Sequence, residues 1–281
     1  MRGSALPALG PLRYRLGDYW EYAPPPSLAA MAESAWTHRV APGVPLPCGA
    51  MHRVLPDPAL SLAFRCRRDA DGRPLDARLL VIGPKSRPHV FAFAPGWETA
   101  AVRLKLEWAA PVCDLAPSEH SDIETDTRQM GPALRQLFDR LGQSRTAAAA
   151  AATLAGAIAQ WGSRRVPGNR VAGALDLVRR TAGATPVDQI AWATGASIRQ
   201  LRRAVRRDAG ISLKRYARVV RLLRVVSAAD ALEKPPWARL AADAGFADQS
   251  HLIRECQALT GLSPGQVHRE RRSEAETSNP E

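Results

Sequence analysis

The sequence is short of several things, and each shortage removes a class of protein. It has no unbroken apolar run of about 18 residues, the least that a membrane-spanning helix needs, although 46% of its residues are hydrophobic. A folded core is therefore expected and a membrane span is not. The four cysteines, Cys48, Cys66, Cys113 and Cys256, stand far apart without a CxxC spacing, so a zinc knuckle or a dense disulfide framework has no support. Buried, reduced thiols are the expectation. Met1 to Pro11 carries one Arg and is interrupted by Pro7, Gly10 and Pro11, so it lacks the continuous apolar centre of a signal peptide, and a cytoplasmic location is expected. Acidic residues are scarce in one region only. The chain has 39 Lys plus Arg against 27 Asp plus Glu, a formal charge of +12, and Arg170 to Ser273 alone holds 19 basic against 9 acidic side chains. An excess confined to the last third points to a polyanionic partner. A basic helix lying on a membrane, or a merely solvated face, has the same composition, so the arrangement of the charges must decide.

With 281 residues, two domains are the default. Between Tyr14 and about Trp108 the pattern is of short strands, Leu60 to Arg67, Arg78 to Ile82, His89 to Ala94 and Thr99 to Glu107, separated by Pro and Gly. Such spacing suggests a small barrel or sandwich. After the acidic segment Glu119 to Asp126 the period becomes helical. Leu134, Leu137, Phe138 and Leu141 share one face, and an Ala-rich helix follows over Thr146 to Trp161, to be packed on the sheet or on a second subunit. GSRRVPGNR, Gly162 to Arg170, has the composition of a linker.

Beyond the linker an internal repeat carries the functional argument. Ile190-Ala191 matches Leu240-Ala241, with the turn glycines Gly195 and Gly245 fifty positions apart. Leu201, Arg203, Val205, Gly210 and Ser212 then match Leu252, Arg254, Cys256, Gly261 and Ser263 at fifty-one, so the second turn holds one extra residue. Each copy has the layout of a helix-turn-helix. In the first, Val187 to Ala193 is the support helix, Ser197 the N-cap, and Ile198 to Asp208 the second helix. Its inward face is Ile198, Leu201 and Val205, and its outward face is Arg199, Arg202, Arg203, Arg206 and Arg207. In the second, Trp237 to Ala244 precedes a turn at Gly245-Phe246 and a cap at Asp248. Leu252, Cys256 and Leu259 then point inward and Gln249, Ser250, His251 and Arg254 outward. Arg and Gln at the start of such a helix are the side chains that pair bidentately with guanine and adenine edges in a major groove. A single five-Arg helix would more simply be a soluble face, but the same plan occurring twice favours DNA. Leu213 to Leu232 reads as one connecting helix with Leu213, Tyr216, Val220, Leu223 and Ser227 on one side. At about 1.5 Å per residue it spans roughly 30 Å, near the roughly 34 Å between successive major-groove faces. Lys214, Arg215, Arg218, Arg221 and Arg224 along it divide between phosphate contacts and internal ion pairs.

These strings, IAWATGASIRQLRRAVRRDAGISLKRYARVVRL and LAADAGFADQSHLIRECQALTGLSPGQV, make Val187 to Val267 resemble the DNA-binding module of the AraC/XylS family. The resemblance implies base-facing Arg199, Arg202 and Arg203, with Arg206 beside them, and Gln249, Ser250, His251 and Arg254. The family usually has Phe where this chain has Val205 and Cys256, which implies looser packing of both second helices. HRVLPDPALSLAF, the Ile82 to Pro84 turn and AVRLKLEWAAPV make the preceding region similar to the cupin-like domain of one subfamily. The expected fold is then α+β. It comprises a small cupin-like β-barrel with trailing helices over 1–161, a linker over 162–170, an all-α double helix-turn-helix domain over 171–273, and a disordered tail over 274–281. Double-stranded DNA is the expected partner. The resemblance adds a small-molecule effector and a homodimer as open questions, with RNA polymerase a further open partner; no cofactor and no membrane are expected.

Three rival readings are weighed. A metal-dependent cupin enzyme would draw on His38, His52, His89 and His120, but these never occur as HxH and no carboxylate follows at ligand spacing, so no metal site and no catalytic residue is expected. A repair methyltransferase would need an activated cysteine, and Cys48 in PLPCGA has no adjacent His or Arg. A purely architectural DNA binder would leave the large first region without a use. The seven Trp, with Phe91 and Phe93, are expected in the core.

Overall fold

The computed structural model describes residues 8–14, 17–42, 51–92, 94–113, 117–127, 131–163 and 166–276. Nine strands are found among them: β1 (Ala8–Tyr14), β2 (Gly17–Tyr22), β3 (Ala32–Arg39), β4 (Met51–Val54), β5 (Leu60–Arg68), β6 (Pro74–Ile82), β7 (His89–Ala92), β8 (Glu98–Leu104) and β9 (Glu124–Asp126). Seven form an antiparallel sheet in the order β1-β2-β3-β8-β5-β6-β9, while β4 and β7 pair as a separate ribbon. The sheet-rich first region is as expected, but its expected closure into a barrel is corrected. Among the described residues no ladder joins β1 to β9, and β9 covers only Leu80 to Ile82 of β6.

The last expected strand is also shorter, because β8 stops at Leu104 and α1 (Leu106–Cys113) begins. Leu106, Ala109 and Val112 are buried at a spacing of three, a helical stripe that the apolar run of β8 conceals in the sequence. After α2 (Pro117–His120) and β9 come α3 (Pro132–Leu141) and α4 (Ala147–Gly162). The acidic segment therefore contributes a helical turn and an edge strand. Thr146 caps α4, its hydroxyl accepting from Ala149 N at 3.1 Å. Ala150, Ala151, Leu154, Ala155, Ala157 and Ile158 press α4 onto β3 and β8, so the Ala-rich helix covers the sheet, small side chains allowing close approach.

Helices α5 (Asn169–Arg180), α6 (Val187–Ala193), α7 (Ile198–Ala209), α8 (Leu213–Asp230), α9 (Trp237–Asp243), α10 (Gln249–Thr260) and α11 (Pro264–Glu276) complete the chain. They divide between two cores. One runs without a break from the sheet through α4, α5, α6 and α7 to Leu213 and Tyr216 at the start of α8. The other holds the end of α8 with α9, α10 and α11, around Val219, Leu222, Val225, Leu252, Cys256 and Leu259. Helix α8 thus passes from one core to the other, and its buried face is Leu213, Tyr216, Val219, Leu222, Val225, Val226 and Ala229. This corrects the expected face. Val220 and Leu223 are half-buried and Ser227 is exposed, because α8 is packed from two sides by two different units.

Candidate nucleic-acid interface

Local chemistry builds the two helix-turn-helix units. Ser197 opens α7 with a reciprocal cap, its hydroxyl accepting from Gln200 N at 3.2 Å while the Gln200 side chain accepts from Ser197 N at 3.1 Å. Asp248 does the same work for α10, its carboxylate accepting from His251 N at 2.6 Å. The turns need Gly195 and Gly245, at φ of +61° and +77°, values that side-chain-bearing residues rarely adopt. Leu201, Val205 and Ala209 form the buried stripe of α7. Ile198, expected inward, is 39% exposed. Val205 and Cys256 are both fully buried, and a small cleft lined by Trp237, Cys256, Val267 and His268 lies beside the second.

Opposite those stripes, Arg199, Arg202, Arg203, Arg206 and Arg207 are exposed on α7. Among the described residues only Arg207 of the five has an ion-pair partner, Asp208 at 2.6 Å. Gln249, Ser250 and Arg254 are exposed on α10, while His251 is half-buried with its ring edge-on to Phe246 at 5.4 Å. Four uncompensated guanidinium groups on one helix face create a field suited to a polyanion. The connecting helix divides its charges: Arg218 pairs with Glu255 at 2.6 Å, Arg221 donates to Gly183 O and Arg215 to Ser86 O, and Lys214 and Arg224 remain exposed. Burial and the neighbouring Arg218 lower the pKa of Arg215.

The sheet region grips the first unit from behind without covering its arginines. Gly210, left-handed at φ +69°, ends α7 against α2, and an added Cβ would sit 2.7 Å from the Pro117 carbonyl. Ser121 Oγ donates to Gly210 O at 3.2 Å. Its repeat mate Gly261 also ends its helix left-handed but meets nothing within 4 Å, so one copy of the motif has become a docking point and the other has not. Deeper in, Arg179 of α5 donates to Glu107 of α1 and, at 3.1 Å, to the Tyr216 hydroxyl of α8. The second unit is touched by β1, which packs against α11, and through Arg53–Glu270 at 3.3 Å and Leu55. Sequence patterns gave no sign of this anchoring, whose partners lie over seventy residues apart. They also misplaced the tryptophans expected in the core: Trp192 on α6 is 86% and Trp20 38% exposed, and the other five are half-buried.

The groups behind the rival readings are placed as follows. Among the described residues no three His, Cys, Asp or Glu side chains gather as a metal site, and no helix is long and apolar enough to cross a membrane. His120 Nδ1 lies 3.0 Å from Thr125 Oγ1. The side chains of His52 and Phe91, and Cys48 and Phe93 altogether, lie outside the described residues, as does the side chain of Cys113. Cys66 and Cys256 are free and buried, and burial pushes the Cys66 thiol up to about 12, the reverse of nucleophile activation.

Comparison with known proteins matches residues 190–270 to a family described as a helix-turn-helix domain. No curated protein matches the chain. Among solved structures, the C-terminal domain of AraT, a response regulator from Geobacillus stearothermophilus, is 19% identical, with 36% of this chain and 85% of that one covered and a TM-score of 0.34. A DNA-binding transcriptional dual regulator from Escherichia coli K-12 is 15% identical, covering 38% and 96% with a TM-score of 0.34. ToxT from Vibrio cholerae O395, bound to (E)-4-(8-methylnaphthalen-1-yl)but-3-enoic acid, is 8% identical, covering 79% and 97% with a TM-score of 0.45.

Proposed function

We propose, on the premise that residues 190–270 are an AraC-type helix-turn-helix domain, that this chain is a sequence-specific DNA-binding transcription regulator whose α7 and α10 enter successive major-groove segments. The observation that carries the reading is the exposed Arg199, Arg202, Arg203 and Arg206, without ion-pair partners among the described residues, on a helix whose opposite stripe is buried, with exposed Gln249, Ser250 and Arg254 and half-buried His251 at the matching part of α10. Arg203 and Arg254, at matched positions of the repeat, take bidentate contacts to guanine, and Gln249 suits an adenine edge. Lys214 and Arg224 serve phosphates, while Arg215, Arg218 and Arg221 are engaged within the protein. With 18 residues, α8 spans roughly 27 Å at about 1.5 Å per residue, a length that supports two readers meeting one face of a duplex.

In this proposal residues 1–161 form a sensor or dimerisation domain, 162–170 a linker and 171–273 the reading domain. The grip of α1 and α2 on α5 and α7, carried to α8 by Arg179 and Tyr216, supports such a coupling, because a change in the sheet region reaches the first reader through packed side chains. A small-molecule effector, a homodimer and RNA polymerase complete the set of proposed partners. Genomic fragments recovered by the purified chain test the reading: a shared, bipartite sequence among them is expected, and recovery of random fragments alone defeats it.

A further inference from the structure

If two readers must meet two groove segments at once, something must fix how one is turned relative to the other. The connecting helix sets their separation, yet each reader has its own core, and besides that helix the second core meets the rest of the chain through Arg53–Glu270, Leu55 and the packing of α11 on β1. The side chains that tie one reader directly to the other start from α8, one turn apart. Arg221 donates to the carbonyl of Gly183, in the turn between α5 and α6 of the first unit. Its guanidinium carbon also lies 5.5 Å from the ring centroid of Phe246, in the turn of the second unit. The two turns approach each other there closely enough that a Cβ added to Gly245 would sit 3.8 Å from that of Ala184. Phe246 in turn meets the edge of His251, a proposed base-facing residue on the first turn of α10. Arg218 holds the flank of the same helix through Glu255 at 2.6 Å. Arg218 and Arg221 are half-buried and Phe246 is buried, so neither arginine is a ready phosphate contact.

We propose that Arg221, assisted by Arg218, is a positioning residue that locks the second reader to the first and thereby sets the spacing of the two DNA segments the chain accepts; this rests on the DNA-reading function proposed above. One extra base pair between the segments moves the second by about 3.4 Å and turns it by roughly 34°. A locked pair cannot follow that change, whereas a loosened pair can.

The test uses the full chain and compares wild type, Arg221→Met and Arg221→Lys on duplexes carrying both recovered segments at the native spacing, with one base pair added, and with one segment scrambled. Wild type is expected to prefer the native spacing by roughly tenfold or more, as a rigid two-site link requires. Arg221→Met should bring the two spacings to within about threefold while changing binding to the single segment less than about twofold. Arg221→Lys, which keeps a cation over Phe246 and one donor for Gly183, should restore most of the preference. In parallel, spin labels at Gln189→Cys on α6 and Ala258→Cys on α10, with Cys48 and Cys113 replaced by Ser, read the inter-reader distance without DNA. A single narrow distribution is expected for wild type and Lys, and a broad one for Met. An unchanged spacing preference and an unchanged distribution in Arg221→Met overturn the lock. If wild type binds no specific duplex, the DNA-reading function fails instead, and the label distances alone decide the lock.

Discussion

Replacing Glu107 by Gln should cost the chain about 3 kcal/mol and should do so through the first reader. The side chains of Glu107 and Arg179 are 4% and 18% exposed, and the guanidinium donates to both carboxylate oxygens. Burial disfavours the charge on Arg179, but the hydrogen bond to Glu107 and the field of Tyr216 and Glu107 outweigh it and hold the group above the usual arginine range. Removing one member of a buried pair leaves the other uncompensated, at about 3–5 kcal/mol. The lower end applies because Arg179 keeps the Tyr216 hydroxyl at 3.1 Å and has Asp176 at 3.8 Å near the surface. In equilibrium urea unfolding, with a slope of about 3 kcal/mol per molar, the midpoint should fall by about 1 M. Hydrogen exchange should show α5 and α7 losing protection before α9 to α11, which belong to a separate core. The double variant Glu107→Leu, Arg179→Met should recover most of the loss, because apolar replacement of both partners removes the buried charge itself. A loss below about 1 kcal/mol for Glu107→Gln, or equal loosening of both units, would refute the assignment of this pair as the anchor between the sheet region and the first reader.

Further outcomes follow from the same geometry. Arg203→Ala and Arg254→Ala should each lower discrimination between specific and altered duplexes by about 1–3 kcal/mol in competition binding, whereas equal loss on random DNA would reassign them to phosphates. Binding should weaken steeply with salt, with a log–log slope reduced by about one in Lys214→Ala if that side chain neutralises a phosphate. Ser197→Ala should cost about 1 kcal/mol in denaturation by removing the cap of α7. Burial lowers the pKa of His120 below its ordinary 6.5, with Glu119 opposing. The unfolded chain then takes up this proton first, so the stability tied to neutral His120 is complete above pH 6.5 and declines as pH falls below it. His120→Gln should flatten the melting temperature between pH 7 and 5.5, and an unchanged slope would show that other groups cause it.

The sequence alone determined the two helix-turn-helix units, because their caps, turns and faces are local. Support helix α6 runs over Val187–Ala193 as its period predicts, the caps Ser197 and Asp248 sit three residues from the amides they bind, and the fifty-to-fifty-one offset marks the longer second turn. Outward Arg199, Arg202, Arg203, Arg206 and Arg254 were equally legible, since one period of about 3.6 sorts each helix into buried and exposed faces. Tertiary structure decided the rest. Thr99 to Glu107 reads as one strand until α1 turns Leu106, Ala109 and Val112 back under the same core, and β9 exists because an acidic segment finds the edge of β6. The buried face of α8 is chosen by two cores rather than by its own pattern, and Gly210 differs from Gly261 only in what α2 brings against it. Pairings such as Ala35 with Val102, or Glu107 with Arg179, join residues distant in the chain. No local period encodes them, because their free energy is gained only when both partners leave water together.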